Sequence, residues 1–308
     1  MPATTPAATP ATTPATTPAP TPTGRPEPRS WLYVPGDRPE RYPKALAAGA
    51  DAVVIDLEDA VAPAHKEYAR RSAAAFLREH RPPGLHVRIN PLEDGGREDL
   101  AALTALDPDR LAGLRLPKVE SARQVRAVAA AAPGVGLWPT VESALGLERA
   151  HRIATAHPQV RGLLYGTGDL AADLGTTDPD VLAACAVRVL VAARAAGLPR
   201  PPLSVHPDLH DLAALAADTR RGRERGFHGR SVIHPAHVPV VHAVFAPTAA
   251  ELAAARAVLA HADTHGTGAG TGPDGRFTDA AVVRRARALL DRADQAEAAE
   301  DRAEPPTR

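Results

Sequence analysis

Cysteines, aromatic side chains and long apolar runs are all scarce in this chain. Cys185 stands alone among 308 residues, which excludes an intrachain disulfide and a multi-cysteine metal site. It lies in an Ala/Val-rich helical pattern and reads as a small buried hydrophobe. The lack of disulfides fits a reducing, cytoplasmic compartment. No run of roughly eighteen apolar residues occurs, so no membrane-spanning helix is expected. Lys plus Arg and Asp plus Glu number 36 each, and this balance gives no footing for nucleic acid or an anionic membrane. Neither an H-E-x-x-H motif nor close His/Cys spacing supports zinc.

What is present divides into three parts. Residues 1–28 are almost all Pro, Ala and Thr. Such a segment cannot bury a core, and a disordered or polyproline-like extension is expected. It lacks the basic start and apolar stretch of a secretory signal. From residue 29 to about 246, short apolar runs alternate with Ala-rich segments of helical length. The strand-like runs are Trp31–Pro35, Ala52–Leu57, Leu85–Asn90, Ala112–Pro117, Val135–Val141, Gly162–Tyr165, Leu203–Val205 and Ser231–His234. Alternation of this kind predicts an α/β fold with a parallel sheet, and a count of eight predicts a closed (β/α)8 TIM barrel. A doubly wound open sheet is the alternative, but no Gly-rich dinucleotide fingerprint follows the first strand. Residues 247–308 hold a helix near Ala249–Ala262, a glycine-rich stretch Gly266–Gly275 and a helix from Ala280 to about Ala299. They read as a C-terminal helical lid or oligomerisation arm, or as an appendage that only packs on the barrel.

Barrel enzymes place their chemistry at the C-terminal ends of the strands. Here those ends carry Asp37 and Arg38, Asp56 to Asp59, Arg88 to Asn90, Lys118, Glu142, Asp169, His206 and His234. Converging charges cost desolvation energy unless they are paired or metal-bound. Glu142 and Asp169 end adjacent strands, and an oxygen-only pair suits Mg²⁺. Each has a plainer reading: Glu142 beside the helix dipole of the following segment, Asp169 as an N-cap. Arg88 supplies a fixed donor for a carbonyl or carboxylate oxygen. Glu58 and Asp59 either bind the metal's waters or pair with Arg38 or Lys118. His206 and His234 are each a candidate acid or substrate contact. His234 with Pro235 reads best as a strand-end turn.

The stretches RSWLYVPGDR from Arg29 and GADAVVIDLEDAV from Gly49 are followed, in order, by five more. These are VRIN at Val87, LPKVE at Leu116, VESA at Val141, YGTGDL at Tyr165 and IHPA at Ile233. The ordered set, over about Arg29 to Leu290, resembles the citrate lyase beta-subunit-like proteins of the HpcH/HpaI aldolase and citrate lyase family. The resemblance implies a (β/α)8 barrel, trimeric or hexameric, that binds Mg²⁺ and an acyl thioester such as a coenzyme A ester. By position it implies Glu142 and Asp169 as metal ligands and Arg88 at the substrate oxygen. Glu58 and Asp59 would be water-binding groups, and Arg38 and Lys118 would lie near the substrate or the coenzyme A phosphates. It also nominates Asp279, on a C-terminal segment that reaches a neighbouring subunit's site; N-capping the helix at Ala280 is its plainer role. Four residues depart from the pattern: Phe277 stands for methionine, Leu203 and Ser204 stand for Asp-Gly before Val205, and Arg230 stands for lysine.

The expected activity is a reversible carbon–carbon lyase reaction of the malyl-CoA or citramalyl-CoA type. The competing readings are a citrate lyase beta subunit, a metal-dependent 2-oxo acid aldolase and a non-catalytic assembly subunit.

Overall fold

The computed structural model describes residues 27–303. The Pro/Thr/Ala extension expected over 1–28 therefore lies outside the described residues, apart from Glu27 and Pro28. Those two already engage the body of the protein: Glu27 Oε2 lies 3.7 Å from Arg200, and its carbonyl lies 3.2 Å from His228 Nε2.

The chain alternates strand and helix from the start. β1 (Ser30–Pro35) leads to α1 (Tyr42–Leu46), β2 (Ala52–Asp56) to α2 (Lys66–Glu79), and β3 (Leu85–Arg88) to α3 (Arg97–Thr104). β4 (Gly113–Leu116) precedes α4 (Ala122–Ala131), and β5 (Leu137–Val141) precedes α5 (Ala144–Glu148) and α6 (Ala150–Ala154). β6 (Leu164–Tyr165) is followed by α7 (Thr167–Leu174), α8 (Pro179–Ala195) and α9 (Leu212–Glu224). β7 (Arg230–Val232) then leads to α10 (His237–Phe245) and α11 (Ala249–His265). A short hairpin of β8 (Gly270–Thr271) and β9 (Phe277–Thr278) precedes α12 (Ala280–Ala303).

The main sheet is seven-stranded and parallel, in the order β6-β5-β4-β3-β2-β1-β7. In sequential order the helical crossovers cover one face and the curl of the sheet encloses the other, so β2 (AVVID) is buried at every position. Helices bury faces of matching period: Ala69, Ala73 and Leu77 of α2 are all fully buried. Gly36 lets β1 turn close to β2, its N–H donating to the Asp56 carbonyl at 2.7 Å; a Cβ there would stand 2.7 Å from that same oxygen.

The sheet is curled, and three side chains show how far. Trp31 of β1, His86 of β3 and Trp138 of β5 form one cluster, with ring centroids 4.9 and 4.6 Å apart across His86 and the two tryptophans at 6.4 Å. Strands spaced about 4.8 Å apart in a flat sheet would hold β1 and β5 near 19 Å apart. Layers drawn from alternate strands are the packing habit of barrel interiors.

Two expected strands are shorter than the sequence suggests. Of Gly162–Tyr165 only Leu164 and Tyr165 pair; the chain meets β5 again at a bridge of Val160 with Leu137, one residue out of register. Leu203–Val205 reduces to one bridge, Leu203 with Arg230. Pro201 and Pro202 just before it have no N–H to give a ladder. Leu203 still takes a strand's place: its N–H donates to Gly229 O at 2.8 Å and its carbonyl accepts from Ser231 N at 2.9 Å.

The stretch His237–His265 is long and apolar enough by composition to cross a membrane. It is divided between α10 and α11, broken at Pro247, with a Thr248–Glu251 capping box restarting the helix. α12 packs on α11.

Candidate active site

The strand ends bring Asp56, Glu58, Arg88, Lys118 and Glu142 together. Arg88, at the end of β3, is the hub. Its Nε and Nη2 donate to the two oxygens of Asp56 at 2.7 and 2.6 Å. Its Nη1 lies 2.8 Å from Glu58 Oε2 and 3.3 Å from Asp59 Oδ2. Burial works against the Arg88 charge, but the Asp56 carboxylate outweighs it and holds the guanidinium pKa well above its usual value. Of the two pairings expected for Glu58 and Asp59, the one with Lys118 forms: Lys118 Nζ lies 3.2 Å from Glu58 Oε1. Arg38 takes no part; its exposed side chain lies 4.0 Å from Asp37.

Asp56 is the strand-end residue to which the sequence assigned no role. It is 1% exposed, and besides Arg88 it accepts the main-chain N–H of Glu58 at 3.0 Å and of Ala60 at 3.1 Å. Both oxygens are thus occupied in shaping the turn and aiming Arg88. The available signal was its position as the last inward residue of an otherwise apolar strand. Lys66 was missed as well: its ammonium donates to the carbonyls of Leu57 and Glu58 at 2.9 and 2.7 Å, closing the same turn from α2.

Glu58 is 3% exposed, and burial raises its carboxyl pKa, with Arg88 and Lys118 opposing and Asp59 and Asp56 adding to the rise. Its contacts are charge contacts; neither oxygen has a well-directed hydrogen bond among the described residues.

Glu142 closes β5 and is 5% exposed. Its Oε1 accepts the main-chain N–H of Lys118 at 2.6 Å, and its Oε2 has no hydrogen-bond partner among the described residues. Lys118 is the one non-glycine described residue with positive φ, at 51°. Gly166 lies directly against Glu142, where a Cβ would come within 2.2 Å of Oε2. Burial pushes the Glu142 pKa up to about 7; the Lys118 N–H opposes this, while Glu58 and Asp169 add to it by repulsion. Asp169 is exposed in the first turn of α7 and acts electrostatically on both Glu142 and Lys118.

This arrangement fits a hard divalent cation. One Glu142 oxygen is fixed and the other free, and a second carboxylate, Asp169, adds its repulsion to the burial that raises the Glu142 pKa. Among the described residues no group of three or more His, Cys, Asp or Glu could hold a metal alone. Two carboxylates with the remaining positions left to water and substrate oxygens is the habit of Mg²⁺.

The other candidates lie apart. His234 is exposed in a turn, its Nδ1 3.2 Å from Ala236 N, as the turn reading expects. His206 faces Asp218 at 3.9 Å, and Arg230 contacts the same carboxylate. Asp279 caps α12, accepting from Ala281 N and Val282 N at 2.9 and 3.0 Å, and no contact joins it to Arg88 or Glu142 among the described residues.

Comparison with known proteins places the chain in a family. Residues 29–235 match the family HpcH/HpaI aldolase/citrate lyase, and residues 194–293 match C-C bond lyases of the TIM-barrel fold. The chain is 38% identical over 275 residues to a (3S)-malyl-CoA thioesterase of Cereibacter sphaeroides, covering 86% of this chain and 94% of that one. It is 38% identical over 276 residues to a citrate lyase subunit beta-like protein of Mycobacterium tuberculosis, covering 86% and 96%. The crystal structure of M. tuberculosis CitE in complex with magnesium, acetoacetate and coenzyme A superposes with a TM-score of 0.78 at 35% identity, covering 88% of this chain and 99% of that one. On this extent of match the chain belongs to the HpcH/HpaI aldolase/citrate lyase family of carbon–carbon lyases.

Proposed function

We propose that this protein is a Mg²⁺-dependent lyase that cleaves a 3-hydroxyacyl-CoA of the malyl-CoA or citramalyl-CoA type into an acyl-CoA and a 2-oxo acid, and runs the reverse condensation. The observation that carries the reading is Glu142, buried with one oxygen fixed and the other unpartnered, between Asp169 and the Arg88 cluster. Glu142 and Asp169 would hold the metal. Bound there, Mg²⁺ supplies Lewis-acid polarisation of substrate hydroxyl and carboxylate oxygens.

The chain's own residues do the rest. As the carbon–carbon bond breaks, its electron pair moves onto the thioester carbonyl oxygen, the hydroxyl passes its proton to water in the mouth and the 2-oxo acid departs. Arg88 donates to that carbonyl oxygen, where negative charge develops. Asp56 fixes the Arg88 plane, and Glu58 and Asp59 steady it and would bind the waters of a metal held there. Asp279, reaching over from a neighbouring copy in a trimer or hexamer, gives its proton to the enolate carbon, or removes it in condensation. Arg38 and Lys118 lie on the coenzyme A side.

The same reading takes residues 29–246 as a barrel closed by Leu203 as the eighth strand, residues 247–308 as a lid and oligomerisation arm, and the cytoplasm as its location. The curled sheet, the alternate-strand cluster and the coenzyme A complex of the M. tuberculosis relative support it.

The test is purified protein with Mg²⁺ against malyl-, methylmalyl- and citramalyl-CoA, with an EDTA control. EDTA-sensitive release of glyoxylate or pyruvate is expected. A second reading, hydrolysis of the thioester itself, draws support from the relatives named (3S)-malyl-CoA thioesterase. Free malate and coenzyme A thiol, without glyoxylate, would establish it instead. Turnover only on a carrier-protein thioester would favour the citrate lyase beta-subunit reading.

A further inference from the structure

Beneath the mouth, inside the curled sheet, lies a cation that the mechanism does not use. Arg115 of β4 is 1% exposed. Its Nη1 donates to Tyr33 Oη at 2.6 Å, and its Nε and Nη2 have no hydrogen-bond partner among the described residues. No carboxylate oxygen of the described residues approaches it as an ion pair, so aromatic faces take that place: its guanidinium lies 4.3 Å from the Trp31 ring and 5.2 Å from the Tyr33 ring. The Tyr33 ring is shared, for the Arg88 guanidinium also lies 5.2 Å from its centroid. The two guanidiniums are therefore no more than about 10 Å apart, on adjacent strands in register.

A buried, unpaired guanidinium is costly to a fold. An apolar side chain of the same length would serve the core better, so its presence asks for a use. The charges of the mouth supply one. Asp56, Glu58, Asp59, Glu142 and Asp169 outnumber Arg88 and Lys118, and Arg88 is closely engaged by three of those carboxylates. Such a site repels an anionic 2-oxo acid or a developing enolate. A divalent cation removes part of the excess. Arg115 is a nearby buried positive charge that no carboxylate neutralises; the Lys66 ammonium, which closes the turn, is spent on the carbonyls of Leu57 and Glu58.

We infer that Arg115 is an electrostatic positioning residue of the active site, a fixed buried charge that favours the anionic 2-oxo acid and the enolate, and whose benefit is catalytic rather than structural. The inference rests on the proposed Mg²⁺-dependent lyase reading. It makes a prediction of opposite signs. Removing the charge relieves repulsion on Mg²⁺ and deepens repulsion on the anion. At an effective dielectric of ~20, one charge at ~10 Å shifts the binding of a unit charge by roughly tenfold.

The experiment compares wild type with Arg115→Met, which is neutral, and Arg115→Lys, which keeps the charge. Thermal unfolding of the metal-free proteins is measured first. Calorimetric titrations then follow with Mg²⁺ alone and with pyruvate at saturating Mg²⁺. The expected result for R115M is an unchanged or higher Tm, Mg²⁺ binding tighter by at least about threefold, and pyruvate binding weaker by at least about threefold, with R115K near wild type on both. A lower Tm with both affinities unchanged would make the residue structural and overturn the inference, as would Mg²⁺ and pyruvate affinities that fall together. If R115M does not fold, Arg115→Gln, neutral and still able to donate to Tyr33, is read in the same way; failure of both neutral variants beside a folded R115K would place the charge in the fold and overturn it. Wild type that binds no Mg²⁺ would sink the metal reading and this inference with it, whereas wild type that binds both ligands without cleaving any coenzyme A ester would sink only the substrate assignment.

Discussion

The main-chain N–H of Lys118 donates to Oε1 of Glu142 at 2.6 Å, from a residue held at a φ of 51°. Left-handed backbone at a residue with a Cβ costs roughly 1 kcal/mol. Here it turns the amide towards one carboxylate while the side chain reaches another, Glu58. Lys118→Gly keeps the amide without the Cβ penalty, and Lys118→Ala keeps the penalty. Denaturant unfolding is expected to show the glycine variant about 1 kcal/mol more stable than the alanine variant. Both should bind Mg²⁺. Equal stabilities would mean that the strain is absent.

Asp56→Asn removes the charge that both fixes Arg88 and sets its orientation. Breaking a buried pair from one side costs about 3 kcal/mol. Unfolding should register that loss, and kcat/KM should fall by roughly 100-fold or more, since the amide cannot accept both Arg88 donors as a charge partner. An active Asp56→Asn enzyme would show that Arg88 is aimed by something else.

The raised Glu142 pKa gives the metal-free protein a pH dependence of definite sign. The group takes up its proton near pH 7 in the fold and near 4.5 when unfolded. Its contribution to stability is therefore full below about pH 4.5 and is lost as pH rises through about 7, a change of roughly 3 kcal/mol. Metal binding expels that proton, so apparent Mg²⁺ affinity should weaken by up to about tenfold per unit below pH 7. Calorimetry across pH 5.5 to 8.5 checks this, with Glu142→Gln as a flat control that has lost its metal affinity.

Asp169→Ala touches an exposed side chain, and stability should stay within about 0.5 kcal/mol of wild type. Mg²⁺ affinity and cleavage should both collapse. Metal affinity that survives in this variant would leave Asp169 as the first-turn acid of α7 and nothing more.

Asp279→Ala removes the cap of α12, at a cost of about 1 kcal/mol. If Asp279 serves a neighbouring copy, mixed oligomers of Asp279→Ala and Glu142→Ala chains, each inactive alone, regain activity because some sites carry both residues. Mixtures that stay dead would confine Asp279 to its helix.

Much of the candidate site is legible in the sequence. Arg88, Lys118, Glu142 and Asp169 are charged residues just after apolar runs, and a parallel sheet sends all such ends to one side. Asp56 was less visible because its one-strand context reads as the close of a hydrophobic strand, while its importance lies in a partner 32 positions away. Arg115 was hidden for the same reason: GLRL looks like any strand with an outward arginine, and only the register of β4 turns that residue inward onto Trp31 and Tyr33.

The amino-acid sequence by itself determined the alternation of strands and helices, because apolar period and turn residues are local properties. It also determined which ionisable groups end each strand. Tertiary structure alone decided the rest: that Leu203 pairs at one residue, that Arg88 is held by Asp56 rather than left free, that Lys118 serves Glu142 through its backbone, and that a guanidinium sits unpaired under the mouth. Those are relations between strands, fixed by curl and register, and no pattern along a single strand encodes them.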